Sequence, residues 1–247
     1  MLPPIKETQV NQLKTWSHSR LSTFESCNYR AKLQYIDKIP EPDRPLPEGK
    51  TEHANDRGTR LHTAAEMYTK GGVELAPEIA KNFTTEHEKL RELFAEGRVS
   101  LEGDWGFNKA WEPVAWMSSD VWCRVKCDAV AHLTKKHAVV IDFKSGKRWG
   151  NEMKHTEQMH IYTLSTLLKY PQLDKVTTEL WYWDANELSS MTYTRDQGLR
   201  FVTGFEKRAD LLTACLDFKP NPNVFSCKWC AYRPIAKGGS GHCKSGV

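Results

Sequence analysis

The sequence predicts an α/β fold in which a mixed central β-sheet is flanked by helices. Helical spacing of apolar residues dominates the first hundred positions, two strand patterns follow between residues 121 and 144, and a helix then precedes a β-hairpin. With 247 residues the chain can bury a full core, so we expect one domain, residues 1–247, that folds without disulfide bonds. Helices before and after a run of strands fit a sheet with helices on its faces.

After a loose lead-in over residues 1–16, residues 17–97 are predicted to form an N-terminal helical part. Residues 17–39 favour a helix pair, and the proline-rich residues 40–50 favour a loop. A helix opened by Asn55 or Asp56 follows, and a second one covers about 76–96. Apolar residues that recur at helical spacing, and therefore face inward, are Leu21, Phe24, Ala31, Tyr35, Leu61, Ala65, Tyr68, Ile79, Phe83, Leu90 and Phe94.

Residues 98–195 are predicted to hold the sheet. From residue 121 to 133 every odd position is apolar or a thiol, whereas the even positions include Arg124, Lys126 and Asp128. This alternation predicts a strand with one polar face. The run HAVVIDFK, residues 137–144, predicts a second strand, which the following serine and glycine end. Pairing these two strands would bring their polar residues together.

The remaining elements are a helix over about 152–169, a hairpin from KVTTELWYW and SSMTYT, and a long helix over residues 196–218 capped by Asp196. The tail, residues 219–247, contains many glycines and prolines and predicts a loop. We therefore assign residues 196–247 to a C-terminal helix followed by a cysteine-rich loop.

The overall charge of +4 is too small to indicate a nucleic-acid-binding protein by itself. Basic residues do cluster after the second strand and near the C-terminus, although ordinary solvated lysines would give the same pattern. No apolar run approaches the length of a membrane span, and the N-terminus lacks the apolar stretch of a signal peptide. We expect an intracellular protein without a membrane partner, in which the seven cysteines are thiols, metal ligands or nucleophiles.

Asp142 and Lys144 are the first candidates for catalysis. Since a strand alternates its faces, these two charged residues emerge on one side of the sheet, and Asp128 on the neighbouring strand points the same way. Two carboxylates suit a hard cation such as magnesium or manganese, and a histidine ligand would favour manganese. A cation there would polarise a phosphodiester. The alternative is an ordinary ion pair at the end of a strand.

These residues resemble the PD-(D/E)XK nuclease superfamily, in its RecB-like exonuclease branch. The resemblance rests on four motifs in matching order, GTRLH, VKCDAV, VIDFKSG and QMHIY, which span residues 58–162. It implies a restriction-endonuclease-like core with Mg²⁺ or Mn²⁺ as cofactor and DNA as partner. The implied cation ligands are His62, Asp128, Asp142, the backbone carbonyl of Phe143 and, as an additional acid in SLEGDW, Glu102.

The same resemblance assigns the catalytic roles. Lys144 would act with Asp128 and Asp142, while Gln158 and Tyr162 would lie beside the DNA backbone. Lys147, Arg148 and Lys154 are the basic residues expected to neutralise DNA phosphates. The resulting prediction is a metal-dependent DNA exonuclease of recombination, repair or DNA degradation, in the cytoplasm of a bacterium or a phage-infected cell. The alternatives are a non-catalytic DNA-binding protein on the same fold and a structure-specific endonuclease.

Four cysteines form a second motif. Cys227 and Cys230 are separated by two residues, Cys243 follows a glycine-rich stretch, and Cys27 lies in FESCNYRAKLQY near the N-terminus. In RecB-like nucleases of the AddB and CRISPR-associated kinds, one cysteine before the core joins three after it around a 4Fe–4S cluster. The alternatives are a zinc ion, His242 in place of Cys243, and cysteines without a ligand role. The other three, Cys123, Cys127 and Cys215, are predicted to be buried thiols.

Overall fold

A computed structural model of the chain describes residues 11–72, 74–146 and 148–247. The described residues divide into two compact units, one formed by residues 11–44 with Glu206–Val247 and the other by Pro45–Phe205. The second unit contains the helices α3 (Ala54–Thr69), α4 (Pro77–Ala95), α5 (Glu152–Lys169) and α6 (Arg195–Leu199). Its strands are β1 (Val99–Phe107), β2 (Pro113–Val114), β3 (Cys123–Thr134), β4 (His137–Lys144), β5 (Lys175–Tyr182) and β6 (Glu187–Thr194).

The six strands form one sheet in the order β2-β1-β3-β4-β5-β6. Strands β4 and β5 run parallel, and every other neighbouring pair is antiparallel. The parallel pair needs a crossover, which α5 supplies. This mixed sheet with flanking helices confirms the predicted fold class.

Both faces of the sheet are covered. On one face, apolar residues of α3 and α4 pack against β3, β4, Trp181 of β5 and Trp183 just after that strand. The members of this core include Leu61, Ala65, Ile79, Phe83, Leu90, Ala129, Ile141, Phe143, Trp181 and Trp183. Alternate residues of β3 and β4 point to the other face, where α5 contacts both strands. Asp142 belongs to that second face, so a carboxylate lies under a helix.

Strand β1 was not expected from the sequence. It pairs with β3 along most of its length, from Val99 opposite Ala131 to Phe107 opposite Cys123. The alternation of apolar and polar residues that marks a strand is interrupted in β1 by Glu102, Gly103 and Asp104. Glycine and acidic residues are depleted in strands, and the pattern therefore hid this one.

Three expected helix limits were wrong. Helix α3 begins at Ala54, with His53 as its N-cap, rather than at Asn55 or Asp56. The long C-terminal helix is divided into α6 and α7 (Phe201–Ala214). Its cap is Thr194, whose side chain accepts from the amide of Gln197 while Gln197 bonds back to the amide of Thr194. This reciprocal capping box satisfies two backbone amides. Asp196, the expected N-cap, lies in the first turn of α6.

The first unit joins the two ends of the chain. It contains α1 (His18–Ser26), α2 (Asn28–Ala31), a π-helical turn (Lys32–Ile36), α7 from residue 206 onward, α8 (Val224–Cys227) and a 3₁₀ turn (Ile235–Lys237). The Tyr232 hydroxyl donates to the carbonyl of Ile39 at 2.9 Å, and Phe24 packs edge-on against Phe218. None of the helices in the described residues is long and apolar enough to cross a membrane.

Candidate active site

Asp142 and Lys144 lie next to each other at the end of β4. The Lys144 ammonium is 2.5 Å from Oδ2 of Asp142, whose residue is only 2% exposed. Residues two apart on a strand share a face, which accounts for the approach. Removing a carboxylate from water costs several kcal/mol unless partners compensate, and the Lys144 ammonium offsets part of that cost here.

Gln158 on α5 holds the pair in place. Its side-chain oxygen accepts from the Lys144 ammonium at 2.9 Å, while its amide nitrogen lies 3.1 Å from Oδ1 of Asp142 and 2.8 Å from the Tyr162 hydroxyl. Gln158 and Tyr162 are one helical turn apart, as expected for a shared face. Tyr162 is buried and supports Gln158, which differs from the expectation that it lies beside the DNA backbone.

Asp128 on β3 lies where the β3–β4 ladder ends. The paired residues run to Ala129 opposite Ile141, and beyond them Oδ2 of Asp128 accepts from the amide of Phe143 at 2.7 Å. On its other oxygen, Oδ1, Asp128 is 3.3 Å from Nδ1 of His62 on α3. One carboxylate therefore joins the end of β4 to the histidine of the GTRLH motif.

His62, Asp128 and Glu102 form a group that could hold a cation. Each offers one ligand atom, and these three atoms lie within 4.8 Å of one another. Glu102 on β1 has a left-handed backbone, with φ of 48°, which is costly for a residue with a Cβ. Its carboxylate also contacts Lys126 at 2.8 Å. A histidine and two carboxylates suit manganese or magnesium, whereas Asp142 is not part of this group.

A cleft opens over these ligand atoms. It is lined by Gly58, Thr59, His62, Thr63, Glu66, Glu102, Lys126 and Asp128. Arg57 fixes its rim by donating to the carbonyl of Ser145 at 2.9 Å and forming two bonds of 2.9 Å with Asp184. A Cβ on Gly58 would lie 3.3 Å from the Ser145 hydroxyl, so α3 approaches the end of β4 closely at this position. The sequence argument missed Arg57, although it directly precedes the first motif.

Burial and neighbouring charges shift two pKa values. Burial raises the pKa of Asp142 to about 6, even though the Lys144 charge lowers it. Burial lowers the pKa of His62, but the hydrogen bond and charge of Asp128 outweigh this and leave it raised. The metal-free site therefore retains protons at a pH where ordinary carboxylates have lost them. A cation would compete with these protons.

The predicted DNA-contacting residues differ in their environments. Arg148 donates to Glu187 at 2.7 Å, and Lys154 is exposed on α5. Lys147 lies outside the described residues. Trp149, beside Arg148, is also exposed. The contacts between Arg148 and Glu187 would have to yield if Arg148 binds phosphate.

The four motif cysteines meet in the first unit. Cys27, Cys227, Cys230 and Cys243 line one cavity, and the amide of Asn221 donates to Sγ of Cys27 at 3.5 Å. His242 does not line this cavity, and its ring bonds to Ser240 instead. Among the other cysteines, Cys123 and Cys127 are buried as expected. Cys215 is half-buried because α7 ends before it, so its expected place in a helix core was wrong.

Residues 15–235 match the PD-(D/E)XK nuclease superfamily, and the chain belongs to that superfamily. Its structure is similar to that of the protein SSO0001, with a TM-score of 0.43 and 14% identity over 98% of this chain and 89% of that one. It also resembles an alkaline exonuclease from Laribacter hongkongensis, with a TM-score of 0.33 and 11% or 10% identity in two crystal structures, over 83% of this chain and 88% of that one. A phage-related exonuclease from Haemophilus somnus 129PT gives a TM-score of 0.29 and 12% identity over 82% of this chain and 96% of that one. Comparison with curated proteins finds no match.

The backbone of Glu102 yields the first testable prediction. Glu102→Gly and Glu102→Ala both remove the carboxylate, but only alanine keeps a Cβ in the left-handed conformation. We expect the glycine variant to be more stable than the alanine variant by about 1 kcal/mol. Urea unfolding without metal measures the difference. Both variants should bind Mn²⁺ more weakly than the parent in calorimetry, and equal stability of the two would contradict the strain.

The raised pKa of Asp142 yields the second testable prediction. The folded protein keeps this proton until the pH approaches about 6, whereas the ordinary value is 3.8. The contribution of the protonated group to stability is complete below the ordinary value and is lost as pH rises through the folded value. Relative to Asp142→Asn, the metal-free parent should lose roughly 2 kcal/mol between about pH 4 and pH 6. Chemical unfolding across this range tests it, with exposed Asp196→Asn as the control.

Proposed function

We propose that this chain is a metal-dependent deoxyribonuclease that hydrolyses phosphodiester bonds from DNA ends. The observation that carries the proposal is the pairing of Asp142 with Lys144 at the end of β4, beside three cation-ligating side chains. A structural ion pair alone would not explain why Glu102, with its left-handed backbone, brings a ligand atom within 4.8 Å of those of His62 and Asp128. Nuclease chemistry uses all of these groups.

His62, Glu102 and Asp128 would hold the cation, with Asp142 and the Phe143 carbonyl completing its ligands. The amide of Phe143 already faces Asp128, and a strand residue directs its amide and carbonyl to the same neighbouring strand. A divalent cation supplies a Lewis acid for the phosphate and makes a water molecule more acidic. The exposed side of the cleft leaves room for the substrate.

Lys144 would orient the attacking water, or would deprotonate it once the ammonium has given up its own proton. Two of its three N–H donors face Asp142 and Gln158, and the third is left for a water or a phosphate oxygen. Gln158 and Tyr162 act as positioning residues because they contact the catalytic pair from α5. Lys147, Arg148 and Lys154 would neutralise phosphates of the bound DNA.

Lys144→Ala tests the catalytic assignment. We expect cleavage of linear DNA in Mn²⁺ to fall at least about a hundredfold, because the group that directs the water is removed. DNA binding should persist, since one lysine among many is lost. Lys136→Ala, an exposed lysine in the turn between β3 and β4, is the matched control and should cleave normally. Near-parental turnover by Lys144→Ala would refute the assignment.

The substrate form separates the proposal from its alternatives. End-labelled linear DNA and closed circular DNA are incubated with Mn²⁺ in parallel. Loss of the linear form alone supports an exonuclease, and loss of both forms indicates an endonuclease. Binding without loss of either form indicates a non-catalytic DNA-binding protein. An exonuclease of this kind would serve DNA recombination, repair or degradation in a bacterial or phage-infected cell.

We also propose that the four motif cysteines hold a 4Fe–4S cluster. In a tetrahedral zinc site with Zn–S bonds of about 2.3 Å, the sulfurs stand less than about 4 Å apart. Within the described part of the chain, no three cysteine sulfurs lie within 4.8 Å of one another. A cluster is larger than a single ion, so we propose it for the cavity that these four cysteines line. The Asn221 amide, donating to Cys27, is the kind of contact that stabilises a ligating thiolate.

Cys27→Ser tests the cluster. A shared centre would join segments over two hundred residues apart in sequence, so its loss should lower the thermal midpoint and the iron content. Protein purified without oxygen should be brown, absorb near 400 nm and contain about four irons per chain. Cys215→Ser is the control, since this thiol does not line the cavity. Colourless protein with one zinc per chain would replace the cluster with the zinc alternative.

A further inference from the structure

The net positive charge of this protein is concentrated at its C-terminus. Residues 218–247 contain five basic residues and no acidic one, whereas residues 1–217 contain 30 basic and 31 acidic residues. The basic residues are Lys219, Lys228, Arg233, Lys237 and Lys244. Such a segment attracts polyanions, and it contains no acidic residue that would repel them.

Two large aromatic side chains on this cationic segment face solvent. Phe225 is 91% exposed and Trp229 is 73% exposed, although Cys227 between them is buried. The amide of Lys228 donates to the carbonyl of Val224, so the chain keeps a helical turn here and places Phe225 and Trp229 on neighbouring positions of one face. The Lys228 ammonium lies 5.2 Å from the centre of the Trp229 ring.

The folded chain does not gain the free energy that burial of these two rings would provide. Burying a phenylalanine is worth about 1.5–3 kcal/mol, yet this segment exposes two aromatic rings in succession. The turn that exposes them is well defined, since Asn223 caps α8 by accepting from the amide of Ser226 and Cys227 is fixed inside. Exposed aromatic rings beside a lysine are the groups that bind an unpaired base and its phosphate.

We propose that Phe225, Lys228 and Trp229 form a stacking surface for single-stranded DNA. The inference deepens the proposed nuclease function and rests on it for the choice of nucleic acid. Each ring would stack on one base, and Lys228 would neutralise the adjoining phosphate. Duplex DNA keeps its bases paired and stacked, so it would gain little from these rings. An anionic membrane could attract the same residues, and the experiment separates the two.

The test measures binding of fluorescein-labelled oligo(dT) by anisotropy, in buffer without divalent cation. The double variant Phe225→Ala/Trp229→Ala should bind at least about tenfold more weakly than the parent, with duplex binding changed less than about twofold. Trp229→Leu, which keeps an apolar side chain but no flat ring, should lose affinity like Trp229→Ala. Leu211→Ala, an equally exposed apolar residue on α7, is the matched control and should bind as the parent does.

Parental affinity of the double variant for oligo(dT) would overturn the proposal, as would full affinity of Trp229→Leu. Binding to phosphatidylserine vesicles that the double variant loses, with DNA binding unchanged, would also overturn it in favour of a membrane. Because no divalent cation is present, this measurement is independent of cleavage. If the double variant binds oligo(dT) as the parent does, the expected loss of cleavage by Lys144→Ala is unaffected. If Lys144→Ala cleaves normally and the proposed nuclease function fails, the measured affinities for oligo(dT) still stand.

Discussion

The burial of the Asp142 carboxylate is the constraint on which the site in the Pro45–Phe205 unit depends. A charge beneath α5 is stable only with partners, and Lys144 and Gln158 supply them within 3.1 Å. Gln158 can reach both only if α5 crosses from β4 to the parallel strand β5 with that face inward. The requirement of one carboxylate thus connects strand alternation, helix phase and sheet order.

The site also needs three possible cation ligands close together, and one of them, Glu102, has a strained backbone. His62 and Asp128 approach each other through ordinary elements, a helix and a strand that both pack in the core. Glu102 joins them only because its backbone leaves the extended conformation in the middle of β1. Positions of this kind persist where the surroundings enforce them, and here β1 is fixed by its pairing with β3 on either side of Glu102.

Sequence reasoning succeeded where one periodicity dominates and failed where function disturbs it. The alternation of β4 predicted that Asp142 and Lys144 share a face, because a strand has only two faces. Asp128 was expected on that face as well, and its carboxylate contacts the Phe143 amide and His62 of α3. Sequence reasoning missed β1, whose pattern is interrupted at Glu102 and Gly103 for the same reason that Glu102 reaches the site. Arg57 was missed because its partners, Ser145 and Asp184, are distant in sequence. Contacts of that kind leave no local pattern.

The role of α5 as both crossover and carrier of Gln158 limits how the length of the chain can vary. A helix turns by about 100° per residue, and the phase of α5 is fixed by buried residues such as Ile161 and Leu164. One residue inserted between Gln158 and Ile161 would turn Gln158 away from Asp142 without breaking the helix. Insertions in the loops at either end of α5 would leave that phase unchanged. Homologous chains should therefore differ in length at these loops and keep a constant spacing inside the helix.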